Sequence, residues 1–377
     1  KNGFLIEHGP STINAAVDEV RVLSENLGLD PSVVPLSDDV KRRFLVKDGA
    51  LQGVAAHPLG FFTSSYLSPA ARLRMLLEPL ISKGSPDTAE SVEAWFSRRF
   101  GGEFARRVMD PLVGGLYAGR ADELSLQSVF PRLLDMERQH GSIIRAALSH
   151  RLRGGVMPGK RLYSWTEGIG TLPTALSTGL TDCIHTGVTV RRITGQQGGY
   201  QIDTAGHGRI ATRSILIATQ PHVATAFLEN VAPDGAEAIA AIDAPPLAVV
   251  FLGYRRADVD HPMDGLGYLS PRCENRALTG AQFPSSMFAG RAPKGHVALT
   301  GYLGGARHPE VGRMGRRELI DLAQQEFRGL MGARGEPVVT NVRSWPRGIP
   351  QYRSGHAERV DSIRNISQEA PGIFVTG

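Results

Sequence analysis

Apolar positions along the chain follow two spacings, and the switches between them mark its elements. Phe4–Ile6 form an apolar run that passes through Glu7 and His8 into Gly9-Pro10, predicting a buried strand that ends in a tight turn. Ser11 or Thr12 is then placed to cap a helix over residues 14–27. Alternation over 39–51 predicts a hairpin turning at Lys47-Asp48-Gly49. Between 52 and 150 the spacing becomes helical, in 70–81, 91–100 and 104–113, with Ser91 at a helix start and a capping-box pattern at 87–90. Gly114, Gly115 and Gly119 are expected to end the third of these helices. A long helix with a glycine stop follows over 130–144. Strand patterns return at 188–193, 200–203 and 214–219, and again over 245–305. There 247–254 reads as a central strand, with 264–271 and 283–293 following it.

Composition narrows the class. The 377 residues allow two or three domains, and a 41% hydrophobic, 21% charged chain is an ordinary globular one. Net charge is +5 and arginine is dispersed, so a phosphate-tracking nucleic-acid surface is not supported. Cys183 and Cys273 are the only cysteines, which excludes a disulfide framework and reads as two thiols of a cytoplasmic protein. No apolar run reaches the ~18 residues of a membrane span. The chain opens at Lys1 beside an apolar run and stops at Gly377 after another, so it reads as a piece of a longer protein cut at both ends.

Adjacent arginines in the predicted hairpin, Arg42 and Arg43, point to opposite faces of a strand. One is solvated, and an inward one without a carboxylate partner awaits an anionic ligand. Gly168-x-Gly170 invites a dinucleotide reading but lacks the third glycine and the surrounding βαβ unit. No Ser/His/Asp or paired-carboxylate constellation is present, and His8, His140 and His356 read as structural. Apolar residues such as Val190, Leu269 and Phe288 would by themselves be read as core.

Four strings carry a resemblance to a known family. They are Gly3-Phe-Leu-Ile-Glu-His-Gly-Pro-Ser-Thr12; Arg43-Phe-Leu45; Gly115-Leu-Tyr-Ala-Gly119, followed by Leu124-Ser125; and Trp345-Pro-Arg-Gly-Ile-Pro-Gln-Tyr352, followed by Gly355-His356. In this order they resemble flavin amine-oxidase-like proteins, and among those the oxygen-dependent protoporphyrinogen oxidases. The resemblance covers essentially the whole chain. One departure is Ala289, where the family often has Pro after the position of Phe288.

The resemblance implies an α/β (α+β) fold. An FAD-binding Rossmann-like domain, lacking its N-terminal βαβ here, comprises 1–34, 183–225 and 340–377. A mixed-sheet substrate domain comprises 35–42, 144–182 and 226–339. A helical insert over 43–143 contacts a membrane surface, 60–67 being one candidate contact. The implied cofactor is FAD, touched by Gly9, Pro10, Ser11, Thr12, the backbone of Val190, Trp345 and Gly377. The implied substrate is protoporphyrinogen IX, with a propionate on Arg43, the backbone of Gly115 facing the reacting ring, and Leu269 and Phe288 sandwiching the rings. Molecular oxygen is the implied acceptor, and a homodimer the implied assembly. A coproporphyrinogen III oxidase of the same fold and a non-catalytic tetrapyrrole-binding protein are the alternatives.

Overall fold

The computed structural model describes residues 1–14, 18–54, 64–85, 89–152 and 162–376. Its centre is a seven-stranded sheet built from β3 (Arg42–Lys47), β4 (Ala50–Val54), β10 (Leu247–Arg255), β11 (Gly265–Leu269), β12 (Leu278–Gln282), β13 (His296–Gly304) and β14 (Val339–Trp345). The order is β14-β10-β13-β12-β11-β3-β4, antiparallel except for the β11–β3 pair. β3 and β4 are joined at Asp48-Gly49, both with positive φ, as a two-residue primed turn requires. Alternation divides the sheet into two faces. Phe44, Tyr268, Ala281, Leu299, Ala248, Val250 and Leu252 belong to the largest core, closed by Leu319, Ala323 and Phe327 of the helix Arg316–Met331.

Smaller units flank this sheet. β1 (Ile13–Asn14), β5 (Leu162–Trp165) and β2 (Val33–Pro35) form a three-stranded sheet. β6 (Thr189–Gln196), β7 (Gly199–Ala205) and β8 (Arg209–Thr212) form an antiparallel one. β9 (Ile215–Ile217) pairs in parallel with β15 (Ile373–Val375). A helical unit centres on Val92–Phe100 and Asp110–Tyr117, with Trp95, Phe96, Val113 and Leu124 in its core. The mixed sheet, the small parallel pair and the helical unit match the α/β class expected.

Several local expectations are corrected. Residues 4–6 pair in no sheet. Phe4 is buried against Phe251, and the Leu5 amide donates to the Arg291 carbonyl at 3.3 Å. Residues 13–14 are strand, and the helix is described only over Asp18–Asn26, so Ser11 does not cap it; its hydroxyl bonds Gln282 instead. Gly114 and Gly115 do not end a helix: the helix runs through both to Tyr117, and the left-handed cap is Ala118. Segment 283–293 contains a helical turn, Pro284–Met287, because Pro284 cannot extend the ladder of β12. Ser91 does cap its helix, accepting from the Ala94 amide at 3.2 Å. The capping-box pattern at 87–90 falls partly outside the described residues.

Candidate functional site

The second face of the seven-stranded sheet, turned away from the large core, gathers the polar chemistry. Register places Tyr302 opposite Val249 and Gly280, Thr300 opposite Phe251 and Gln282, Gly280 opposite Leu269, and Leu269 opposite Leu45. Arg43 shares the face of Leu45 by alternation, and Trp345 lies opposite Leu247 at the other edge. One band of side chains therefore runs from Arg43 across Leu269, Gln282 and Tyr302 to Trp345.

The N-terminal segment crosses this band. The Trp345 indole Nε1 donates to the His8 carbonyl at 3.0 Å, beside Gly9-Pro10, and the Arg343 guanidinium stacks on the Trp345 ring at 4.5 Å. The Ser11 hydroxyl donates to Gln282 Oε1 at 2.7 Å, and the Tyr302 hydroxyl reaches the same oxygen at 2.9 Å and the Gly9 carbonyl at 3.5 Å. Burial is the main cause that pushes the Tyr302 phenol well above its ordinary pKa, so it acts as a hydrogen-bonding group, not as a base. Upstream, Glu7 Oε1 accepts from the Ile169 amide at 2.9 Å, and a Cβ on Gly168 would lie 2.5 Å from that oxygen. The Gly168-x-Gly170 turn thus exists to seat Glu7.

A narrow cleft opens between the segment and the sheet, lined by Ser11, Gln282, Phe288, Arg291 and Tyr302 among others. Phe288 is 2% exposed, with the Arg291 guanidinium 5.4 Å from its ring centroid. Arg291, itself buried, donates to the Ser164 hydroxyl and to the Thr166 and Trp165 carbonyls. Neutral oxygens satisfy its donors, and desolvation lowers its pKa.

The residues expected to bind substrate and cofactor occupy distinct places. Leu269 Cδ2 lies where a Cβ on Gly115 would stand, so the helix Asp110–Tyr117 meets the sheet at that pair. Both Arg42 and Arg43 are exposed, correcting the expected inward partner. Arg42 pairs with Asp264 at 3.5 Å, whereas Arg43 has no ion-pair partner among the described residues. Leu269 does not line the cleft that holds Phe288. Gly9, Pro10, Ser11 and Trp345 come together, with Thr12 next in the chain. Val190 does not join them: it packs on a separate cluster with Ile193, Ile202 and Ile217. Gly377 and residues 60–63 lie outside the described residues.

Gln282, Tyr302 and Arg291 were missed by the sequence reading, and Gln351 was included in a string but given no role. Gln282 carried a signal, being a long polar residue that ends the strand Leu278–Gln282 after Gly280 and Ala281. Gln351 Nε2 donates to the Tyr117 carbonyl at 2.8 Å, and the Tyr352 carbonyl accepts from the Ser125 amide at 2.7 Å. The Ile-Pro-Gln-Tyr string therefore fastens the end of the Gly114-Gly115 helix.

A planar cofactor needs a wall that side chains leave open. No atom lies within 4 Å of the place a Cβ would take on Gly9, and the Trp345 indole beside it is only half-buried. These residues fit the edge of such a group.

A model of the flavin containing amine oxidoreductase family matches residues 1–377. The chain is 26% identical over 420 residues to the mitochondrial protoporphyrinogen oxidase of Nicotiana tabacum, covering 100% of this chain and 82% of that protein. It is 25% identical over 393 residues to the coproporphyrinogen III oxidase of Bacillus subtilis strain 168, covering 100% and 83%. Among solved structures, an Exiguobacterium sp. 255-15 protein assigned as a protoporphyrinogen oxidase superposes with a TM-score of 0.83 at 20% identity, covering 100% of this chain and 83% of that one.

Proposed function

Because the chain belongs to the flavin-containing amine oxidoreductase family, an FAD-dependent one, we propose that it oxidises a porphyrinogen to the porphyrin, with protoporphyrinogen IX as substrate. Bound against Gly9 and Trp345, FAD supplies the two-electron oxidation, used three times per porphyrinogen, with O₂ as final acceptor and hydrogen peroxide as product. The protein binds, orients and shields. Arg43, exposed on the site face without a carboxylate, anchors a propionate. Gly115 sits in the last turn of its helix, where carbonyls lack intrahelical partners, and presents its carbonyl to the ring nitrogen that gains positive charge. Leu269, against Gly115, covers the macrocycle, and Phe288 lines the cleft beside it. Ser11, Gln282 and Tyr302 keep the crossing segment in place. The observation that carries this reading is the single band joining Arg43 and the Gly115–Leu269 contact to the Gly9–Trp345 clamp.

Relatives named coproporphyrinogen III oxidase, from Bacillus subtilis and Staphylococcus aureus, support a second reading, in which the substrate carries four propionates. Growth of porphyrin fluorescence with added FAD and air, on both porphyrinogens in parallel, decides between them. Faster turnover of protoporphyrinogen supports the first reading, and preference for coproporphyrinogen the second. Silence on both with flavin bound means that the fold is shared but the substrate is not, and silence without flavin binding leaves a non-catalytic tetrapyrrole-binding protein. Arg43→Ala should raise KM about tenfold with kcat nearly unchanged, since a remote anchor acts in binding. An unaltered KM would return Arg43 to the solvated surface.

The helical unit supports membrane contact. Leu73, Leu76 and Leu80 are 61%, 56% and 76% exposed along the helix Pro69–Leu76 and the turn Glu78–Leu80. No helix among the described residues is long and apolar enough to cross a bilayer, so contact would be peripheral. Leu76→Asp with Leu80→Asp should weaken sedimentation with phosphatidylcholine–phosphatidylglycerol vesicles about tenfold or more. Equal sedimentation of the variant would exclude this face.

A further inference from the structure

The helix Asp110–Tyr117, which carries Gly115 against Leu269, is gripped by the turn that ends β13. Gly304 and Gly305 there both have positive φ, 98° and 71°. A Cβ on Gly305 would run into the Ala118 carbonyl oxygen, so only glycine lets the turn lie this close. The Ala306 amide donates to that same carbonyl at 2.8 Å, at the left-handed cap of the helix. The next side chain takes the other end. Arg307 is buried, pairs with Asp110 at 3.1 Å, and donates through Nη2 to the Asp110 carbonyl. Its guanidinium also occupies the space a Cβ on Gly114 would take. Two consecutive residues thus hold both ends and the middle of one helix.

The same group holds the sheet. Arg307 Nη1 donates to the Ser270 carbonyl at 2.8 Å, one residue past Leu269, and Asp110 Oδ2 accepts from the Arg272 amide at 2.8 Å. Gly114 precedes Gly115, and Ser270 follows Leu269. One buried guanidinium therefore touches a sequence neighbour of each residue and fixes the gap between the Gly115 backbone and the Leu269 side chain. Its planar fork suits the task, because carbonyls bonded to two of its nitrogens keep a set separation.

We infer that Arg307 is a positioning residue, which acts through the helix Asp110–Tyr117 to set the separation of Gly115 from Leu269. That separation is the opening for the macrocycle, so the inference rests on the porphyrinogen reading for its substrate, though not for the brace itself. Arg307 meets no reacting atom. A carbonyl that steadies developing charge works only at short range, so displacing its helix costs rate more than binding.

Arg307→Ala would leave Asp110 buried without a cation, so the test uses Arg307→Lys, which keeps the charge but has no fork to span both carbonyls. In the full chain without substrate, the amides of 110–117 should exchange hydrogen about tenfold faster in the variant, with those of 92–100 unchanged. With added FAD, well below the melting temperature, kcat on the porphyrinogen that wild type turns over should fall about tenfold or more, and KM should stay within about threefold. An arginine needed only for stability would lower Tm and leave the kcat of folded enzyme alone. Unchanged exchange, or faster exchange with unchanged kcat, overturns the inference. A wild type silent on both porphyrinogens fails the substrate reading instead, and the exchange rates then decide whether Arg307 holds the helix.

Discussion

Arg99→Ala should remove about 3–5 kcal/mol of stability, the largest loss expected from any single truncation in the helical unit. Arg99 is fully buried on the helix Val92–Phe100. Its guanidinium pairs with the equally buried Glu78 and, at 3.4 Å, with Glu137, and it donates to the Ile81 and Gly141 carbonyls. Removing it leaves the buried Glu78 without a cation, while Glu137 keeps Arg98 at 3.0 Å, and an unpaired buried charge costs more than the pair contributes. Chemical denaturation of wild type and variant measures the difference, and a loss below about 1 kcal/mol would mean water enters to replace the guanidinium. The same cluster predicts acid sensitivity. Desolvation raises the Glu78 carboxyl, but bonds from the Ser142 hydroxyl, the Ile143 and Ile144 amides and Arg99 outweigh it and hold the pKa below the usual range. Glu137 behaves alike, with desolvation outweighed by Arg98 and the Trp95 indole. A carboxyl depressed on folding stabilises fully above its unfolded pKa, about 4.3 for Glu, and loses that contribution as pH falls through the folded value. Wild-type stability should therefore drop below about pH 4.3 more steeply than that of Arg99→Ala.

Gly114→Ala should abolish most activity and cost about 2 kcal/mol or more, even though alanine is the better helix former. The added Cβ would enter the buried Arg307 guanidinium, which Asp110 and the Ser270 carbonyl already fix. The helix must move away, and with it Gly115 from Leu269. Steady-state kinetics with a melting curve tests this: a stable variant with unchanged kcat would show that the helix position does not matter. Alanine at Gly170, which faces open space, is the matched control.

Most of the strands of the large sheet were legible because alternating side chains face two different environments. The hairpin 42–54 and the strands at 247–255 and 265–269 were read from their apolar positions, whereas the strands 278–282, 296–304 and 339–345 were not read individually. The first dozen residues were misread for the same reason. Phe4, Leu5 and Ile6 are apolar enough for a strand, but they are held by Phe251 and one bond to Arg291, contacts distant in sequence. Gly114 and Gly115 were read as a helix end because glycine disfavours helix; here close approach to Arg307 and Leu269 outweighs propensity. Arg43, Gly115 and Trp345 were found through family resemblance. Gln282, Tyr302 and Arg291 escaped because their roles depend on register between strands up to hundreds of residues from the segment they hold.

The strand β10 also bears on how such a protein can change over generations. Ala248, Val250 and Leu252 enter the closed core, whereas Val249 and Phe251 reach the other side. A substitution at one parity bears on the large core, and at the other on the smaller core around Phe4 and Phe251 and on the site face beside it. Selection can thus retune the site face by altering alternate codons while the intervening ones stay under the constraint of the large core. A library randomised only at 300 and 302 should contain more folded members than one randomised at 299 and 303, whose leucines both lie in the large core.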